Sequence, residues 1–403
     1  MDTLEKKYID LLLNRCINFN SSKSLFISFE KSDIKSCDFV DKLVTKAQDM
    51  GVNDIYIYDE NSILKHDILK QISIREIDNH PIFNRSIWDE YAKKGASFII
   101  LKTELPGLMD DVDSASLAHA RYVERITCPI YKKLQGGYKI PWCIAVFPSE
   151  RWAKALFPND SDAYDKLFKL TCSMVMADTN NPVLSWNRLL KNNQYIVKKL
   201  DSYNISKLYY KNSLGTNLSI KLNRNARWSS AGHNGMIVNM PTYEIFTTPD
   251  FRSTNGIVYS SRPLCYNGGI VDNFYLEFKD GKVINYGAEK GVDILKGIIE
   301  SDEYSYYLGE VALVDCDSPI SKTNMVFSNT LLDENASCHL ALGTGFINCI
   351  NDNEMYSSEQ LIEMGVNPSK NHVDFMIGTN DLNIEAETEK GKVLIFKNGR
   401  FNI

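Results

Sequence analysis

The sequence predicts an α/β N-terminal domain built on a parallel sheet, residues 1–200, followed by a β-rich α+β domain, residues 201–403. Three observations predict it. Short apolar runs alternate with amphipathic stretches in the first half, and a long helical pattern closes that half. Beyond residue 205 the texture changes to strands joined by Asp-Gly and Asn-Gly turns. A chain of 403 residues is also too long for one typical core, which sets an expectation of about two domains.

In the first half, Leu25–Phe29, Ile55–Tyr58, Ser97–Leu101 and Cys143–Phe147 read as strands. Between the first two lies Phe39–Met50, with Val40, Leu43, Val44 and Ala47 at helical spacing and Gly51 placed to cap it. Strands separated by helices imply a parallel sheet covered on both faces. The stretch from Ser149 to about Tyr203, including Val183–Leu200, is helical in pattern. In the second half, Leu208–Leu222 reads as two strands around a turn at Asn212–Gly215. Phe274–Asn285 and Val393–Asn402 read as hairpins through Asp280-Gly281 and Asn398-Gly399, dipeptides that tolerate positive φ.

Composition narrows the function. Apolar residues make up 44% and charged residues 24%, an ordinary globular balance. A net charge of −6 argues against nucleic acid as a partner and is compatible with divalent cations. The longest apolar runs fall far short of a membrane span, and Met1–Phe19 carries Asp2, Glu5 and Asp10 where a signal peptide needs an unbroken apolar core. Nine cysteines without a Cys-x-x-Cys pair read as reduced thiols of a cytoplasmic protein. The sequon Asn335-Ala336-Ser337 lies among the candidate site residues, which also favours the cytoplasm. No P-loop, His-Glu-x-x-His or Gly-x-Ser-x-Gly is present, which removes the usual nucleotide, zincin and serine-hydrolase chemistries.

What remains is acid and imidazole where apolar residues belong. Glu310 interrupts the strand-like Tyr306–Val314, where a buried carboxylate costs several kcal/mol, roughly, unless a partner neutralises it. A salt bridge is the plain alternative. His372 and Asp374 are two apart, so a strand points both to one face, where they chelate one ion or form a core His–Asp pair. Glu244 follows a proline-marked strand start, and Glu334 and His339 flank a polar turn; each alone reads as surface or structural. Together they form the mixed carboxylate–imidazole set that suits a pair of divalent ions.

At these segments the chain resembles the thermophilic-type metalloaminopeptidases, the family of aminopeptidases T and S and PepS. The resemblance is carried by Asn239–Pro249, Leu308–Val314, Ser318-Pro319-Ile320, Ser328–Gly343 and Glu354–Gly378, and in the first half by Trp142–Pro158. It spans essentially the whole chain in matching order. It implies that the β-rich domain is catalytic, that the protein is a homodimer, and that it releases N-terminal residues from short peptides with a free N-terminus. The family's metal ligands fall on Glu244, Glu310, His339, His372 and Asp374, and Glu334 also matches as a further ligand. Two divalent ions per chain (Zn, Co, Mn or Mg) are implied, roughly 3.5–4 Å apart in such sites, with Glu310 the candidate bridge. If five ligands suffice, Glu334 is either the general base or a support for His339. Two departures stand out. Where the family has a tyrosine seven residues after His339, this chain has Phe346, which cannot donate to an oxyanion; Tyr243 replaces a residue that is often small. The alternative to an enzyme is therefore a catalytically weakened or inactive metal-binding homologue serving as a peptide-binding or dimeric scaffold.

Overall fold

The computed structural model describes residues 2–18, 23–230, 232–233, 235–266 and 269–403; Met1 and Phe19, the ends of the N-terminal stretch read above, lie outside them. The chain divides into two compact units: residues 1–187 with 232–241, and residues 188–231 with 242–403. The division falls inside the helix Pro182–Ser202, and a ten-residue segment from the second half belongs to the first unit.

The first unit is built on β1 (Ser24–Phe29), β2 (Asp54–Asp59), β3 (Ser97–Lys102) and β4 (Trp142–Val146). All pair in parallel in the order β4-β3-β1-β2, and Asn239–Met240 adds a fifth parallel strand beside β4. Every residue of β1 is buried, as expected for a central parallel strand covered by helices. Phe26, Trp88, Phe98 and Tyr131 form an aromatic core on one face. The first crossover helix is Ile34–Asp49, longer at its start than Phe39–Met50. Its N-cap Asp33 accepts a hydrogen bond from the Ser36 N–H, a signal that lies outside the apolar period.

The second unit holds two large sheets. One includes the hairpin strands Gly269–Lys279 and Lys282–Lys290, and Gly391–Lys397 and Arg400–Phe401. Their turns place Asp280 and Gly281 at φ 48° and 85°, and Asn398 and Gly399 at φ 50° and 74°, which is why those dipeptides occur there. Lys207–Lys211 and Asn217–Lys221 pair antiparallel across the Asn212–Gly215 turn, as the sequence predicts.

The other sheet carries the acidic and histidine motifs. It runs β9-β8-β7-β6-β5, with β5 Ser229–Ser230, β6 Ile245–Thr247, β7 Leu308–Leu313, β8 His339–Gly343 and β9 His372–Met376, all antiparallel. Opposite residues share a face. Register sets Glu310 opposite Ala341 and Ala341 opposite Asp374, Ala312 opposite His339, and Gly343 opposite His372. One face therefore presents the donors around Ala341, with Ala312, Gly343, Phe246 and Met376 beside them. The other presents Val311, Leu340, Leu342, Val373 and Phe375 to the core. No helix among the described residues is long and apolar enough to cross a membrane.

Candidate metal centre

The donor face gathers five of the predicted residues into two triads that share one member. Glu244, Glu310 and His339 have ligand atoms within 4.8 Å of one another, and so do Glu310, His372 and Asp374. The two oxygens of Glu310 face different ways. Oε1 lies 3.9 Å from His339 Nε2, which is itself 3.2 Å from Glu244 Oε2. Oε2 lies 3.2 Å from His372 Nε2, which is 3.2 Å from Asp374 Oδ1.

The imidazoles are held in one tautomer by the backbone. His339 Nδ1–H donates to the Ser337 carbonyl at 3.1 Å and His372 Nδ1–H to the Thr344 carbonyl at 2.9 Å, leaving both Nε2 atoms for the centre. Glu334 comes to the same cluster but outside both triads; Asn335 Nδ2 donates to its Oε1 at 3.4 Å. Phe346 packs its ring 5.1 Å from the His372 ring and 5.1 Å from that of Phe246.

Several positioning residues carry roles that their local sequence does not reveal. Asn335 is fully buried. Its Oδ1 accepts the Tyr243 N–H at 2.6 Å, and its Nδ2 donates to the Leu331 carbonyl at 3.1 Å. It thus ties the segment entering Glu244 to the turn carrying Glu334. Thr248 donates to the Gly309 carbonyl at 2.9 Å. A Cβ at Gly309 would stand 2.2 Å from the carbonyls of both Gly343 and Thr344, so glycine is required for β7 and β8 to approach and set Glu310 in place. The glycine immediately before Glu310 was the signal available for this close approach.

The electrostatics explain what the cluster needs. Burial alone lowers the pKa of an imidazole, yet the facing carboxylates overcome it. Glu244 and Glu310 push His339 up to about 10, and Asp374 and Glu310 raise His372 well above its ordinary value. Burial raises Glu310 to about 7 despite its hydrogen bond with His372. Burial, then the charges of Asp374 and Glu244, raise Glu334 well above the carboxylate range. At Asp374 burial opposes ionisation too, but the His372 charge outweighs it and holds the group at about 2. Asp374 Oδ1 is buried and is met by the His372 ion pair at 3.2 Å. Four carboxylates and two imidazoles whose Nε2 atoms converge on them fit divalent cations, which supply positive charge to an acid-rich, buried donor set.

A buried carboxylate–imidazole cluster on one face of an antiparallel sheet is the donor set of a divalent-metal protein. The comparisons with known proteins narrow the class. The model of the family "Thermophilic metalloprotease (M29)" matches residues 1–401. The chain is 35% identical to aminopeptidase AmpS of Bacillus subtilis (strain 168), covering 100% of both chains. It is 32% identical to aminopeptidase 2 of Geobacillus stearothermophilus, covering 98% of this chain and 97% of that one. The solved structure of wild-type AmpT from Thermus thermophilus superposes with a TM-score of 0.89 at 25% identity, covering 100% of this chain and 99% of that one. The chain belongs to the M29 metalloprotease family and is a metal-dependent aminopeptidase.

Proposed function

We propose that this aminopeptidase uses two divalent ions, Zn, Co, Mn or Mg, bridged by Glu310, to release N-terminal residues from short peptides. The observation that carries the reading is the opposed orientation of the two Glu310 oxygens, each facing a separate triad. Glu244 and His339 would hold one ion, and His372 and Asp374 the other. Ions so held would lower the pKa of water, polarise a scissile carbonyl and bind a free α-amine, which would account for exopeptidase selectivity.

The chain's own groups do the remaining work. The rigid β7 strand fixes Glu310, and the Nδ1–H bonds to Ser337 and Thr344 keep both rings aimed. Glu334 is a half-buried carboxylate beside the centre that neither triad uses. Held ionised by bound cations, it would take a proton from the attacking water and deliver it to the leaving amine. The Phe346 ring packs on His372 and shapes the wall there without offering an oxyanion donor. Nine unpaired cysteines and the burial of Asn335 in its sequon support a cytoplasmic setting. The homodimer is carried by the family resemblance.

The test uses full-length protein with aminoacyl-anilides and their N-acetylated counterparts, with Co²⁺, Zn²⁺ or Mn²⁺ and with EDTA. Turnover of the free-amine substrates alone, abolished by EDTA, supports the reading. Equal cleavage of N-acetylated substrates, or activity indifferent to EDTA, contradicts it. Tight metal binding without turnover of any peptide would favour the scaffold alternative.

A further inference from the structure

The first unit contains a cavity that the metal centre does not use. In its sheet, β1 lies between β2 and β3. The chain leaves β1 to one side to build β2 and returns on the other side to build β3, so the loops after β1 and β3 separate at the carboxyl edge. In open α/β sheets this is where ligands bind. A cavity of about 290 Å³ is lined by Glu30 just past β1, Glu60 just past β2, and Lys102, Thr103 and Glu104 at the end of β3. Its size is near the lower end of small-molecule sites, about 300–1,000 Å³.

The two walls differ in chemistry. One is apolar, formed by Leu69, Phe83, Leu101, Leu108 and Leu117, all buried. The other is charged and largely self-compensated. Arg85 donates to Glu60 at 2.7 Å and to Glu124 at 2.9 Å, and Lys65 pairs with Glu124 at 2.5 Å and Glu60 at 3.5 Å. Glu30 accepts from the N–H and hydroxyl of Ser32 and from the Ser62 N–H. That last bond fills the start of the helix Ser62–Leu69, the seat such folds offer a phosphate.

These carboxylates are satisfied; the unmet groups on the wall are donors. Lys102 is exposed and makes neither a hydrogen bond nor an ion pair, its charge acting on Glu60 without contact. Arg85 Nε and the Thr103 hydroxyl are buried without a partner. Donors without a protein partner, in a cavity that also has an apolar wall, suit a ligand with an acceptor at one end and hydrocarbon at the other.

We propose that this cavity binds a small carboxylate with an apolar body, of the kind and size of free leucine. Its carboxylate meets Lys102 and Thr103, and its side chain lies along Leu69, Leu108 and Leu117. The carboxylate assignment stands on the cavity alone. Identifying the ligand with a released amino acid rests on the aminopeptidase activity, whose own failure would be seen separately with the anilide substrates.

The experiment titrates the full-length metal-loaded chain calorimetrically with leucine, 4-methylpentanoate, leucinamide and inorganic phosphate. Lys102→Ala and Thr103→Val are titrated alongside, so that heat common to all three proteins is assigned elsewhere. Lys102 is exposed, so its substitution leaves the fold intact. The expected result is binding of leucine and 4-methylpentanoate that each substitution weakens, Lys102→Ala by tenfold or more, with leucinamide and phosphate at least tenfold weaker throughout. Unchanged leucine affinity in both variants overturns the proposal. So does leucinamide or phosphate binding as well as leucine at the Lys102-dependent site, or 4-methylpentanoate binding there without leucine.

Discussion

Replacing Phe346 by tyrosine adds one hydroxyl to the wall of the metal centre and isolates the effect of a single donor. The ring lies 5.1 Å from His372 and 5.1 Å from Phe246, tilted by 54° and 57°, and is partly exposed, so a phenol fits without repacking the core. A hydroxyl there matters only once the carbonyl oxygen becomes an oxyanion, so it stabilises the transition state over the bound substrate. One well-placed oxyanion donor is worth roughly 10²–10³ in rate. The loop allows less than that. Gly345 N–H donates to the Asn367 carbonyl at 2.9 Å, and a Cβ at Gly345 would stand 2.8 Å from Thr248 Oγ1, so the backbone cannot shift to aim the new group. The expected gain in kcat is about tenfold, about 1.4 kcal/mol, with KM changing far less. Steady-state kinetics on a dipeptide at matched metal loading measure both constants. An active wild type with no response in kcat refutes the reasoning and shows that another group already serves the oxyanion.

His372→Ala or Asp374→Ala should lower kcat by about 100-fold or more and reduce the bound metal, because each breaks one triad; full stoichiometry with near-normal turnover would make the pair a structural one. Asn335→Ala removes the ties among Tyr243, Leu331 and Glu334 from a fully buried side chain. It should cost about 1–3 kcal/mol in denaturant unfolding and weaken metal binding by roughly 10–100-fold in chelator competition, and wild-type values in both would refute its positioning role. In the first unit burial opposes ionisation of Glu60, but the charges of Arg85, Lys102 and Lys65 hold it at about 2, against 4.5 ordinarily. A depressed carboxylate stabilises the fold above its unfolded pKa. About 3 kcal/mol is therefore present above roughly pH 4.5 and lost as pH falls toward 2. Denaturant titrations from pH 7 to pH 3 should show this slope in the wild type and a shallower one in Glu60→Gln; identical slopes would refute it.

The strands of the first unit were legible because each is a short apolar run between helical periods, and the hairpins because Asp-Gly and Asn-Gly supply the left-handed residues their turns need. Glu310, His372 and Asp374 were legible as charges inside apolar strands. Their grouping followed from shared chemistry and the family resemblance, but its geometry depends on register: Ala341 stands opposite both Glu310 and Asp374, and no local pattern specifies which strands pair. The return of Gly232–Pro241 to the first unit was hidden for the same reason, since its strand Asn239–Met240 finds its partner about a hundred residues earlier in β4. Asn335 was visible only as part of a sequon, because a buried amide announces itself through its partners and not through its neighbours in sequence. The switch-point cavity likewise required the strand order, which places β1 between β2 and β3.

The central claim is that Glu310 bridges two ions. It is tested most directly by metal analysis of full-length protein after saturation with Zn²⁺, Co²⁺ or Mn²⁺ and exhaustive dialysis, comparing the wild type with Glu310→Gln. The account predicts two ions per chain in the wild type and fewer than one in the variant, since both triads lose their shared ligand. A wild type that holds a single ion, or a variant that keeps two, contradicts it.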